Sequence, residues 1–282
     1  MLTSLPILLD QTIGGCVSTG SHGSSLVHGT VSDFVCGATV ISRSGEMMEF
    51  EISRTDEGSL RAIRCGVGEL GVLCDISLLV VPRIYLRREE IVIVFSGSCI
   101  QDKCERVASE LVCVGRRVEH LWAMWKLGAD SLMCMCLHKC EEDKISQPGV
   151  SVANGRNWHP FSNDLISYLD DPASVTSEKA KCLCYTLQYS FPLYQLTEVL
   201  VELNRLIDTY EGRVIEFKFL APSKRTILAP NSIEADMTGA SITGGFVCVN
   251  VWWEVEDASI LQEIESILRD KLNGRSHYGK WH

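Results

Sequence analysis

The stretch Gln11-Thr12-Ile13-Gly14-Gly15-Cys16-Val17-Ser18-Thr19-Gly20-Ser21-His22-Gly23-Ser24-Ser25 alternates glycines with hydroxyl side chains. Glycine lets backbone N–H groups come close to a phosphate, and hydroxyls add further donors. A helix beginning near Gly14 would aim its positive end at an anion. Composition alone also allows a flexible glycine-serine loop. The stretch matches neither the P-loop pattern nor the dinucleotide fingerprint of α/β folds.

Working outward, Phe34 to Ser42 and Met47 to Ile52 read as a hairpin about the turn Ser44-Gly45. Leu60 to Arg64 reads as a short helix, Gly66 to Gly71 as a glycine-punctuated loop, and Val72 to Val81 as an apolar strand. Glu89 to Phe95 alternates like a strand, and Ile100 to Val114 has helical spacing. His120 to Trp125 and Ser131 to His138 read as strands around Leu127-Gly128-Ala129-Asp130. Cys140 to Glu178 turns polar and proline-rich, a natural linker. Beyond it come a strand (Cys182 to Tyr189), an amphipathic helix (Tyr194 to Tyr210) and two strands (Val214 to Leu220, Phe246 to Val255). A last helix spans Ala258 to Leu272. A β-α-β-β order thus occurs twice, and sheets with helices on one face define the α+β class.

The chain has 282 residues, enough for about two domains. A net charge of −10 disfavours nucleic acid as the main partner. No apolar run reaches the roughly 18–20 residues of a membrane span, and the N-terminus carries no secretory signal pattern. The 13 cysteines, an odd number, point to reduced thiols in an intracellular protein rather than to a disulfide framework.

The order Thr12-Ile13-Gly14-Gly15, Ser18 to Gly23, His28-Gly29 and Asp33 resembles the FAD-linked oxidases of the vanillyl-alcohol oxidase type. Within them it is most similar to the sugar-lactone members, the L-gulonolactone, D-arabinono-1,4-lactone and alditol oxidases. The likeness runs on through Leu60 to Arg64 and Gly66 to Leu73. It returns at the C-terminus, where Gly274-Arg275-Ser276-His277-Tyr278-Gly279-Lys280-Trp281-His282 is similar to the family's GGRPHWGK-x-H. Serine and tyrosine stand at 276 and 278 where that pattern has proline and tryptophan. Glu216-Phe217-Lys218-Phe219 resembles the family's E-x-R-F, with Lys218 keeping the charge without the planar fork of arginine. Independently of the resemblance, Glu216 and Lys218 are two apart on a strand and so share a face. Leu228-Ala229-Pro230 and Cys248-Val249-Asn250-Val251 resemble two further family segments.

The resemblance implies an FAD cofactor with Gly15, Cys16, Thr19 and His22 along it. It extends the same role to Gly23, Ser24, Ser25, Val72 and His277. It implies catalytic roles for Glu216, Lys218, His277 and Lys280, and substrate contacts for Glu216, Lys218, Asn250 and Lys280. The implied reaction oxidises a secondary alcohol of an aldono-1,4-lactone. Hydride passes to the flavin, and electrons pass on to oxygen or to another acceptor such as a cytochrome. The implied domains are the second lobe of a PCMH-type FAD-binding domain at residues 1–86 and an antiparallel-sheet substrate cap at 87–282. The expectation is a chain lacking the family's first FAD lobe and its closing segment. The alternative is a non-catalytic remnant acting as a binding domain. Membrane association and organelle are left open.

Cys134, Cys136 and His138, the pair His277 and His282, and the pair His22 and His28 offer metal-ligand side chains. They lack a second half of the usual thiolate spacing, so no metal is expected. Trp122, in Glu119-His120-Leu121-Trp122, reads equally as a family strand and as an aromatic core strand.

Overall fold

A computed structural model describes residues 1–4, 6, 11–52, 57–141, 150–152, 184–210, 214–233, 244–254 and 258–280. The linker expected from Cys140 to Glu178 lies almost wholly outside these residues, as do Cys182, Val255, Trp281 and His282.

Two antiparallel sheets organise the described residues. The smaller has the order β2-β1-β3, built from β1 (Val35–Ile41), β2 (Met47–Glu51) and β3 (Val72–Leu78). Helices α1 (Ile13–Thr19) and α2 (Glu57–Ile63) pack against it through Cys16, Val17, Leu60 and Ile63. Arg64, fully buried after α2, donates to the Val35 and Arg225 carbonyls and so ties this layer to the later chain.

The larger sheet has eight strands. Its first four in sequence are β4 (Tyr85–Val94), β5 (His120–Lys126), β6 (Ser131–Cys140) and β7 (Val150–Val152). The others are β8 (Cys184–Pro192), β9 (Val214–Leu220), β10 (Phe246–Glu254) and β11 (Arg275–Ser276). The spatial order is β11-β8-β10-β9-β5-β6-β4-β7. Strand β4 begins at Tyr85, so this sheet already takes in Leu86, the last residue of the first implied domain.

Alternation of side chains gives the sheet two unlike faces. One carries Leu187, Tyr189, Phe191, Ile215, Phe217, Val247 and Val249. Onto it pack α3 (Ile100–Gly115), α4 (Leu196–Asn204) and α6 (Ala258–Ser266), through Val107, Leu111, Val199, Leu200, Leu203 and Ile264. Cys134 and Cys136 belong to this core. Burial raises both thiols, Cys136 to about 11.

The helix expected from Tyr194 to Tyr210 is broken. It runs as α4, then α5 (Ile207–Tyr210). The Leu206 N–H bonds the Leu203 carbonyl at 3.1 Å, a tighter turn that keeps Leu206 in the core.

Candidate functional site

The other face of the large sheet is polar at its centre. Strand register aligns Gln188 with Asn250, Asn250 with Glu216, and Glu216 with Met124. The next row aligns Ser190, Cys248, Lys218 and Trp122. Glu216, Lys218 and Asn250 are 1%, 7% and 0% exposed. The Lys218 ammonium lies 3.2 Å from Glu216 Oε2 and 4.7 Å from the centre of the Trp122 ring. Asn250 donates to the same Glu216 oxygen at 2.6 Å. Glu216 Oε1 and Asn250 Oδ1 are buried and have no hydrogen-bond partner among the described residues. Buried acceptors are seldom left so, because an unmet one costs about 1–3 kcal/mol.

The C-terminal segment brings a second set of groups over this row. Strand β11 adds to β8, with Arg275 opposite Ser190. Arg275 donates to the carbonyls of Ala229 (3.1 Å) and Ser232 (2.7 Å). Gly274 is required by space: a Cβ there would stand 2.6 Å from the Leu268 carbonyl oxygen and from the Phe191 ring. The His277 N–H bonds the Gln188 carbonyl, and the Lys280 N–H bonds the His277 carbonyl, each at 3.0 Å. The His277 ring accepts from the Gly279 N–H at 3.0 Å and is also hydrogen-bonded to the Gly20 backbone. Burial, with Lys280 and Lys218 nearby, pushes its pKa down to about 3, so the ring is neutral. Burial and the Lys218 charge bring Lys280 down to about 8, while Glu216 pulls the other way.

The glycine-hydroxyl stretch closes the site from a third side. Thr12 caps α1 by accepting the Gly15 N–H, and the helix ends at Gly20, whose φ is +69°. A side chain at 20 would meet Cys65 and Pro230 at 3.0 and 3.1 Å, so the sharp exit also needs glycine. The chain then delivers His22, fully buried between Gly23 and Gln188. Its Nδ1 donates to the Gly23 carbonyl at 2.7 Å, and its Nε2 accepts from the Gln188 amide at 2.5 Å. The His22 and His277 rings are 5.4 Å apart. Burial, then the neighbouring His277 ring and the Lys218 and Lys280 side chains, hold His22 well below the usual imidazole range.

The implied cofactor residues separate into groups. His22 and His277 meet at the polar row, and Thr19 stands beside Gly279. Gly15 accepts a hydrogen bond from Thr19 at 2.9 Å. Cys16 is buried, its thiol raised by burial. Gly23 donates to Ser4. Ser24 and Ser25 have their hydroxyls committed inside the fold. Ser24 Oγ bridges the Leu121 carbonyl and the Phe219 N–H. Ser25 Oγ donates to the Glu119 carbonyl and accepts from His28. The two serines wedge apart the ends of β5 and β9. Val72 stands on the small sheet, 67% exposed.

Gln188 and Trp122 belong to the site although no motif marked them as functional. Gln188 was legible only as the polar position of an alternating strand. What places it in the site is its register against Asn250 and its amide on His22.

No family model matches the chain. Among curated proteins it is similar to the D-arabinono-1,4-lactone oxidase of Candida glabrata, 34% identical over 33% of this chain and 18% of that protein. It is 26% identical to that of Debaryomyces hansenii over 74% of this chain and 41% of the relative. L-Gulonolactone oxidase of Bos taurus is 30% identical over 30% of this chain and 19% of its own length. These matches establish distant homology to the sugar-lactone oxidases, and each spans less than half of the relative. The fold is similar to that of cholesterol oxidase from B. sterolicum, with a TM-score of 0.66 and 13% identity over 99% of this chain and 66% of that one. A Bermuda grass pollen isoallergen has a TM-score of 0.58 at 14% identity, over 99% of this chain and 61% of its own. No helix among the described residues is long and apolar enough to cross a membrane.

Proposed function

We propose that this chain carries the substrate-binding and proton-handling part of an FAD-dependent oxidation of an aldono-1,4-lactone. The observation that carries this reading is the pair of buried acceptors, Glu216 Oε1 and Asn250 Oδ1, left without partners among the described residues beside the Lys218 ammonium. A polyhydroxylated ligand supplies the donors such atoms need, and Lys218 can donate to a ligand oxygen. The homology to sugar-lactone oxidases supports the same ligand class.

The site also suits a flavin. Lys218, and Lys280 once it has taken up a proton, converge on one carboxylate with two neutral imidazoles between, leaving a positive surplus as the reaction proceeds. Such a surplus favours a ring that gains negative charge on reduction. Gly15, Cys16, Thr19, His22, Gly23 and His277 would line it. Ser24, Ser25 and Val72 contribute backbone or surface rather than free hydroxyls. An FAD held there would supply the hydride acceptor for the substrate carbon. Lys280, poised near neutral pH, takes the proton of the reacting hydroxyl. His277 has both its Gly279 and its Gly20 bonds to keep, so it positions Lys280 and the flavin edge. Glu216 and Asn250 orient the remaining hydroxyls. Oxygen or another acceptor would take up the electrons.

The test is titration of the folded chain with FAD, followed by anaerobic addition of an aldono-1,4-lactone and measurement of flavin bleaching. Binding of FAD, with bleaching lost in both Glu216→Gln and Lys280→Met, is expected. A folded chain that leaves FAD free in solution would overturn the reading and leave a non-catalytic binding domain. Wild-type bleaching rates in both variants would overturn the assigned roles.

A further inference from the structure

We propose that His28, Glu119 and His120 form a binding site for one divalent transition-metal ion of the zinc class. The three residues come from two segments, the loop that follows Ser24-Ser25 and the entry to β5. Their ligand atoms all lie within 4.8 Å of one another. Two imidazoles and one carboxylate are a donor set that zinc accepts, with room for a water or substrate as fourth ligand. Glu119 and His120 are 8% and 7% exposed, which shields the donors from competing solvent.

The supporting shell is built already. Ser25 Oγ donates to the Glu119 carbonyl at 2.6 Å and accepts the His28 N–H at 3.2 Å, fixing both ligand-bearing segments to each other. His120 is hydrogen-bonded to the Ser24 backbone. Outer contacts of this kind orient metal-binding imidazoles. The His28 and His120 ring centres are 5.7 Å apart, so a small inward shift suffices to close them on one ion.

An imidazole and an ammonium now share the carboxylate. His28 Nε2 lies 2.5 Å and Lys139 Nζ 3.0 Å from the same oxygen, Glu119 Oε1. The Lys139 side chain is 55% exposed and can swing into solvent, so a metal would displace it. His120 and Trp122 share a face of β5. The metal would therefore sit one residue pair along the sheet from Lys218, outside the acceptor row assigned to the lactone.

The test uses Co2+ as an optical probe, titrated into the reduced full chain and followed by its visible absorption. One ion per chain is expected, with affinity lowered at least about tenfold in His28→Ala and in His120→Ala. Lys139→Gln, an exposed change, removes the competing ammonium and is expected to tighten binding. Absence of binding in both the wild type and Lys139→Gln overturns the proposal. So does binding that survives His28→Ala, or a thiolate-to-metal absorption band that would assign the ion to cysteines.

Discussion

Mild acid should destabilise this protein through its buried neutral histidines, and His277 gives the cleanest measure. Its pKa falls from the model-peptide 6.5 to about 3 on folding, chiefly because burial penalises the imidazolium. Below 6.5 the unfolded chain therefore binds a proton that the folded chain refuses, and stability falls as pH falls. At pH 5, about 1.5 below the unfolded value, the preferential protonation of the unfolded state is worth about 2 kcal/mol from this one residue. His22 acts in the same direction. Glu119 does not interfere. Held down to about 2 by His28 and Lys139 against its own burial, it loses its contribution only as pH falls from about 4.5 toward 2. A total stability of about 5–15 kcal/mol makes such losses easy to see. The assay is urea unfolding at pH 7 and pH 5, for the wild type and His277→Asn. The variant starts less stable, but its loss between the two pH values should be smaller by about 2 kcal/mol. Equal losses in the two proteins would refute the claim that His277 is held neutral by the fold.

Two further substitutions test the scaffold. Ser24→Ala strands the Leu121 carbonyl and the Phe219 N–H in the wedge between β5 and β9, and should cost about 1–3 kcal/mol in urea unfolding; no change would mean that the hydroxyl is not structural. Gly274→Ala pushes a methyl to 2.6 Å from the Leu268 carbonyl oxygen and the Phe191 ring. It should cost about 1–3 kcal/mol and expose residues 275–280 to proteolysis, and wild-type resistance would refute the packing argument.

Most elements were legible along the chain because they rest on local periodicity. The alternation of Val214 to Leu220 puts Glu216 and Lys218 on one face whatever the partner strands, since side chains on a strand repeat every two residues. The stripe in Ile100 to Val114 likewise makes a helix with one buried side. The sites of tight packing were legible as glycines at 20 and 274, though the atoms they spare were not. The break after Asn204 was not legible, because the stripe continues through Leu206 while the core contact that tightens the turn is tertiary. Nor were the true partners of Ser24 and Ser25. Their hydroxyls fit a phosphate loop equally well in sequence, and only the spread ends of β5 and β9 give them backbone groups to bond. The meeting of His22, Lys218 and Lys280, drawn from the two ends and the middle of the chain, was decided by tertiary structure as well. Local sequence dictates which face a residue shows. Which residues from distant segments then oppose one another depends on strand order and register, and those follow from burying the apolar face of β4, β5, β6, β8, β9 and β10 together.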